Sequence, residues 1–105
     1  MKNPRNLREI PEELYEKICD NLWSHMDDYS DTTYCDEYFG DIYVFVEIYY
    51  TGEYMETVEG YYELDDGTIS VTVNECEAFV DDEIGEELFI DYEKIENYHL
   101  WDHRK

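Results

Sequence analysis

Three cysteines, three histidines and 29 carboxylates are the residues of this 105-residue chain that could do chemistry. A thiolate attacks or ligates, and an imidazole relays protons or ligates, but each needs partners at a fixed spacing. Cys19, Cys35 and Cys76 are odd in number, far apart, and form no CxxC pair, so neither a zinc site nor a disulfide framework is suggested. His25, His99 and His103 sit in no metal or nucleophile motif, and the chain has no nucleophile elbow or phosphate loop. Cys35 reads as an exposed loop thiol beside Asp36 and Glu37, whose charge raises its pKa and blunts the thiolate. Carboxylates are so abundant that no single pair identifies a general acid and base. The stretch MDDYSDTTYCDEYFGD, Met26 to Asp41, holds six of them. It lacks the alternate acids and central glycine of an EF-hand loop. These residues point away from an enzyme, and they imply no metal and no cofactor.

The charge itself is the stronger signal. Seven Lys and Arg stand against 29 Asp and Glu, a formal net charge of −22. Between Ile18 and Glu93 there are 23 acidic residues and no Lys or Arg. Such a chain repels itself and stays soluble at some cost in stability. Direct binding to nucleic acid or to an anionic membrane is excluded, because both need Lys and Arg. Basic surfaces are the natural partners. An apolar content of 43% separates the chain from acidic disordered tails and fits one acidic domain over 1–105. The opening MKNPRNLREI lacks the apolar run of a secretory signal, and no stretch approaches a membrane span. A reduced, cytoplasmic setting is expected.

The elements that position these residues follow from periodicity. Leu14, Tyr15, Ile18, Cys19, Leu22, Trp23 and Met26 form one apolar stripe, so Pro11 to Met26 is expected to be a helix, with Pro11 at its first position. Met26 to Asp41 reads as a loop. In DIYVFVEIYY, Ile42, Val44, Val46, Ile48 and Tyr50 share one strand face, and Tyr43, Phe45, Glu47 and Tyr49 share the other. Both faces are largely apolar, which implies a central strand or a second face that meets a partner. EYMETVEGYYEL reads as a second strand, with Val58, Tyr62 and Leu64 inward and Gly60 at a bulge or close approach. Asp65-Asp66-Gly67 signals a hairpin. In the third strand, TISVTVNECEAFV, the alternation slips phase, which predicts a bulge near Asn74. ELFID is a short fourth strand, and Asp91 caps a last helix reaching about His99, with Ile95, Tyr98 and Leu100 packing back. The expected fold is α+β, in the order α-β-β-β-β-α. An N-terminal helix lies on a four-stranded antiparallel meander, and a short C-terminal helix follows.

Twelve tyrosines accompany the charge. Tyrosine is amphipathic, cheap to immobilise and enriched at binding hot spots. Carboxylates and rings together match arginine, the residue that lines nucleic-acid-binding grooves. A duplex as long as a domain of this size is wide carries about twenty phosphates, the same order as the 23 central carboxylates. The expected contact residues are Asp27, Asp28, Tyr29, Asp31, Tyr34, Asp36, Glu37 and Tyr38 in the loop, with Tyr43, Tyr49 and Tyr61 on the sheet face away from the core. At the level of class, the combination resembles small acidic decoys encoded by phages and mobile elements, among them anti-restriction and anti-CRISPR proteins that occupy DNA-binding sites. The resemblance implies a non-enzymatic DNA-mimic-like inhibitor of a basic, nucleic-acid-binding partner protein. The alternatives are an immunity protein or antitoxin that neutralises a basic nuclease toxin, and an acidic adaptor subunit.

Overall fold

The computed structural model describes Asn3 and residues 5–27 and 29–98. Helix α1, Glu12–Ser24, buries Leu14, Tyr15, Ile18, Cys19 and Leu22, the stripe that the helical period requires. Pro11, expected at the first helical position, is instead the N-cap, and its ring offers no acceptor for the first-turn N–H groups. Glu12 and Glu13 occupy the first turn, where the positive end of the helix dipole favours them. Trp23 and Met26 pack, partly buried, at the edge of the same core.

Strands β1 (Asp31–Phe39), β2 (Ile42–Thr51), β5 (Ser70–Val80) and β6 (Glu87–Leu88) build one four-stranded sheet in the order β1-β2-β5-β6. All its pairings are antiparallel. Between β2 and β5 the chain makes a separate two-stranded hairpin, β3 (Tyr54–Glu56) with β4 (Tyr62–Leu64). A short helix, α2 (Tyr92–Glu96), closes the described chain, with the Asp91 carboxylate accepting from the Glu93 N–H. His99 and Leu100 fall outside the described residues. Among the described residues, no helix is long and apolar enough to cross a membrane.

The fold class is the α+β arrangement expected, but three of its segments differ from their sequence reading. Most of the acidic stretch expected to be a loop is strand β1. Its Thr33 and Cys35 reach the core while Tyr34, Asp36 and Tyr38 face solvent, and β2 supplies the pairing that so acidic a segment would not form alone. Gly40-Asp41 makes the two-residue turn between Phe39 and Ile42. Gly40 has φ 68°, the left-handed backbone that the first central position of such a hairpin requires. The segment read as one strand over EYMETVEGYYEL is instead the β3–β4 hairpin. Gly60, at φ 88°, sits in its turn, so Val58 is fully exposed rather than inward, and Tyr62 is exposed too. Asp65-Asp66-Gly67, expected to turn a hairpin, instead enters a 3-10 turn in which the Asp65 carboxylate accepts from the Gly67 N–H, and the strands on either side of it, β4 and β5, belong to different sheets.

The bulge falls where the phase slip predicts. Glu47 pairs with Glu75 and Ile48 with Val73, leaving Asn74 as the extra residue. The insertion keeps Val71 and Val73 on the same face as Cys76, Ala78 and Val80. The Val73 N–H is taken up by Glu96 Oε2 of α2 at 2.8 Å. The core therefore lies between one sheet face (Cys35, Val44, Val46, Ile48, Tyr50, Val71, Ala78) and the buried stripe of α1, with Ile95 of α2 alongside.

Candidate functional site

Both helices pack on one side of the sheet, and among the described residues the other side carries no secondary-structure layer. Its side chains are the alternate residues of β1, β2 and β5, and the strand register sets them in four rows. Tyr38, Tyr43 and Phe79 form the first row; Asp36, Phe45 and Glu77 the second; Tyr34, Glu47 and Glu75 the third; Thr32, Tyr49 and Thr72 the fourth. Aromatic rings and carboxylates thus interleave across three strands. The first row is a continuous ring contact, with centroids 5.1 Å apart for Tyr38 and Tyr43 and 5.2 Å for Tyr43 and Phe79. Tyr34 and Phe45 touch diagonally at 6.2 Å.

Two features of the electrostatics stand out. The Tyr43 hydroxyl donates to Asp36 Oδ1 at 2.6 Å, and that bond holds the phenol's pKa up at about 12. Glu47 and Glu75 are directly cross-strand, a like-charge placement that is unfavourable in a sheet. One described cation reaches the edge of this face, because Glu87 of β6 lies directly opposite Phe79 and pairs with Arg5; the other described Lys and Arg lie elsewhere. Arg8 pairs with Glu86, and Lys94 with Glu9 and Glu12, while Lys17 stands on the exposed side of α1. Lys94 also lies 5.1 Å above the Tyr15 ring. Tyr15 ties that end together, donating to Glu9 Oε2 and accepting the Asp91 N–H. Its burial pushes its pKa well above that of an ordinary phenol.

Of the residues singled out in the sequence, Tyr34, Asp36, Tyr38, Tyr43 and Tyr49 come together on this outer face. Asp31 and Glu37 belong to β1 but have the parity of Thr33 and Cys35, so they sit on the helix side at the sheet's edge, exposed. Asp27 and Tyr29 lie in the α1–β1 connection. The Asp27 N–H donates to the Tyr50 hydroxyl at 2.8 Å, and the Tyr29 ring sits 6.3 Å from that of Tyr54. Asp28 falls outside the described residues. Tyr61, expected on the same sheet face, immediately precedes β4 in the separate hairpin and is 70% exposed; the turn at Gly60 removes it from the main sheet. Sequence reasoning left out Phe45, Glu47, Glu75, Glu77 and Phe79. The alternation of β2 already placed Phe45 and Glu47 on the second face, but their neighbours on β5 required the register.

Cys35 is not a loop thiol. It is fully buried on the core face, and burial, followed by Glu37 and Asp36, raises its pKa to about 12. Cys19 is buried and raised to about 12 in the same way, and burial also raises Cys76. Among the described residues, no group of three or more His, Cys, Asp or Glu side chains converges to hold a metal. Comparison with models of known families, with curated proteins and with solved structures finds no match.

Proposed function

We propose that the chain is a non-enzymatic acidic binding protein whose uncovered sheet face occupies a basic, nucleic-acid-binding surface of a partner protein, as a DNA-mimic-like inhibitor. The observation that carries this reading is the Glu47–Glu75 pair on the central strands, flanked by Asp36, Glu77 and the rings of Tyr34, Phe45 and Tyr43. A face built for stability alone would place a cation or a β-branched residue opposite a glutamate. Here Glu47 takes a long bond from the Asn74 amide at 3.5 Å and Asp36 one from the Tyr43 hydroxyl, and the described salt bridges engage neither of them, nor Glu75 or Glu77. Arginine satisfies both components, because its guanidinium bonds a carboxylate bidentately while its plane stacks on a ring. The rings supply area and residence time, and the charge supplies steering.

The test is displacement. The full chain is immobilised, partners are captured at low salt, and the bound fraction is challenged with duplex DNA and with an uncharged polymer. Release by duplex DNA alone, together with failure of a Tyr34→Thr/Tyr38→Thr variant to capture the same proteins, is expected. Partners that DNA does not release, or that the variant retains fully, would refute the reading.

A further inference from the structure

The sheet has two edges, and they are treated differently. At the β6 edge the strand is two residues long. The chain at Arg8–Ile10 covers it, the Ile10 N–H donating to the Phe89 carbonyl and the Phe89 N–H to the Arg8 carbonyl. The exposed part of β5 is interrupted by the bulge at Asn74 and closed at Val73 by Glu96. Strand β1, by contrast, is nine residues long, regular in register along its whole length, and paired on one side only. It contains no proline, no lysine and no bulge, three of the usual devices for blunting an edge.

The hairpin geometry says which backbone groups are open. In a two-residue hairpin the residues flanking the turn, here Phe39 and Ile42, exchange hydrogen bonds, and the pattern alternates from there. The Asp41 carbonyl points the other way, accepting from the Asp81 N–H of the chain beyond β5, which agrees with that phase. The N–H and C=O groups of Tyr34, Asp36 and Tyr38 therefore point away from the sheet. Thr32 shares their phase, and its N–H is taken by the Asp31 carboxylate at 2.7 Å. The residues with open backbone are also those whose side chains stand on the outer face.

We infer that β1 is a docking edge for an extended basic segment, which adds to the sheet as a fifth strand with Arg or Lys at alternate positions. The inference rests on the reading of the outer face as a surface for a basic partner, and it names the form of the partner's contact. In antiparallel addition, the arrangement of every strand pair in this sheet, residues of the added strand that hydrogen-bond to Tyr34, Asp36 and Tyr38 project on the same face as those side chains. Cations at those positions lie against the Asp36 carboxylate and between the Tyr34 and Tyr38 rings. The intervening residues fall on the helix side, beside Thr33, Cys35 and Glu37. Charge selects the occupant. A second copy of β1 would bring a strand carrying the same three carboxylates, Asp31, Asp36 and Glu37, beside this one, so the acids that deter self-pairing admit a basic strand.

The probe is a nine-residue alternating Arg-Thr peptide, added to the full-length chain at low salt. Two derivatives of identical charge carry N-methyl groups, one on every arginine and the other on every threonine. Peptide affinity is read by fluorescence anisotropy, and the amides of Tyr34, Asp36 and Tyr38 are followed by hydrogen exchange. The expected result is at least tenfold weaker binding for the arginine-methylated peptide and little change for the threonine-methylated one. The unmodified peptide also protects those three amides. Equal binding by all three peptides, without protection, overturns the edge and leaves the outer-face reading standing. Absence of binding by any of them overturns both. Protection of the β1 amides in the chain alone, rising with its concentration, makes a second copy the occupant and refutes the basic strand.

Discussion

Replacing Glu75 by lysine should make the fold more stable while weakening its proposed function. Glu75 is exposed on β5, directly opposite Glu47 of β2. Cross-strand pairs contribute roughly 0.2–1 kcal/mol each when favourable, and like charges directly opposite are destabilising by a comparable amount. Glu75→Lys removes the repulsion and installs an attraction, so the two changes sum to about 1 kcal/mol. For a domain of this size that corresponds to a rise in melting temperature of roughly 4–8 °C. Glu75→Gln removes the repulsion only and should gain about half as much. Urea melts at low salt, with the m-value constant across the series, measure the gain directly. Because the effect is electrostatic at an exposed site, about 0.5 M sodium chloride should shrink the gap between Glu75→Lys and the parent. A Glu75→Lys variant no more stable than the parent would show that the two glutamates are already neutralised or apart, and the argument from this pair would fail.

Neighbouring tyrosines test the two-sidedness of the sheet: Tyr49 is 41% exposed and Tyr50 is 1% exposed. Tyr50→Ala should cost about 3–5 kcal/mol, as truncation of a buried aromatic does, and Tyr49→Ala about 1 kcal/mol through its pairs with Thr32 and Thr72; equal losses in urea melts would mean the outer face is covered. Should Tyr50→Ala not fold, Tyr50→Phe still reads the core side, losing about 1 kcal/mol with the hydroxyl that accepts the Asp27 N–H. Asp31 and Asp36 project from opposite faces of β1, so millimolar calcium should raise the melting temperature no more than magnesium does; a calcium-specific rise of many degrees, lost in Asp31→Asn/Asp36→Asn, would contradict the geometry. At pH 8 the buried thiols of Cys19 and Cys35, with pKa values near 12, should resist a disulfide reagent until the chain unfolds, and the half-buried Cys76 should react first. Rapid labelling of Cys35 in the folded chain would return it to an exposed position.

The parts of this fold that were legible in the sequence are those whose pattern is local. The stripe of α1 repeats at helical spacing, the slip of alternation after Val73 marks the bulge at Asn74, and Asp91 precedes α2 as its cap. Strand β1 was not legible, because only Thr33 and Cys35 of its nine residues are buried. Its carboxylates and short polar residues imitate a loop, and its order comes from β2 across the turn at Gly40. The β3–β4 hairpin was hidden in the same way, since Gly60 in a strand-like run signals either a bulge or a reversal and the sequence does not choose between them. The candidate surface was legible along β2, where one chain segment shows both faces. Its extension onto Glu75, Glu77 and Phe79 depends on long-range register.

Placement of charge, rather than its total, is the central claim, and two charge-matched variants separate them. Asp36→Asn/Glu77→Gln removes two carboxylates from the outer sheet face. Glu13→Gln/Glu16→Gln removes two from the exposed side of α1, across the core from that face. Association rate and affinity are measured at low salt against the DNA-displaceable partner, with thermal melts confirming that both variants are folded. The outer-face variant should associate more slowly and bind at least tenfold more weakly, with a shallower salt dependence, while the helix variant stays close to the parent. Equal losses from both variants would mean that net charge alone attracts the partner, and a loss confined to the helix variant would place the contact on the other side of the molecule.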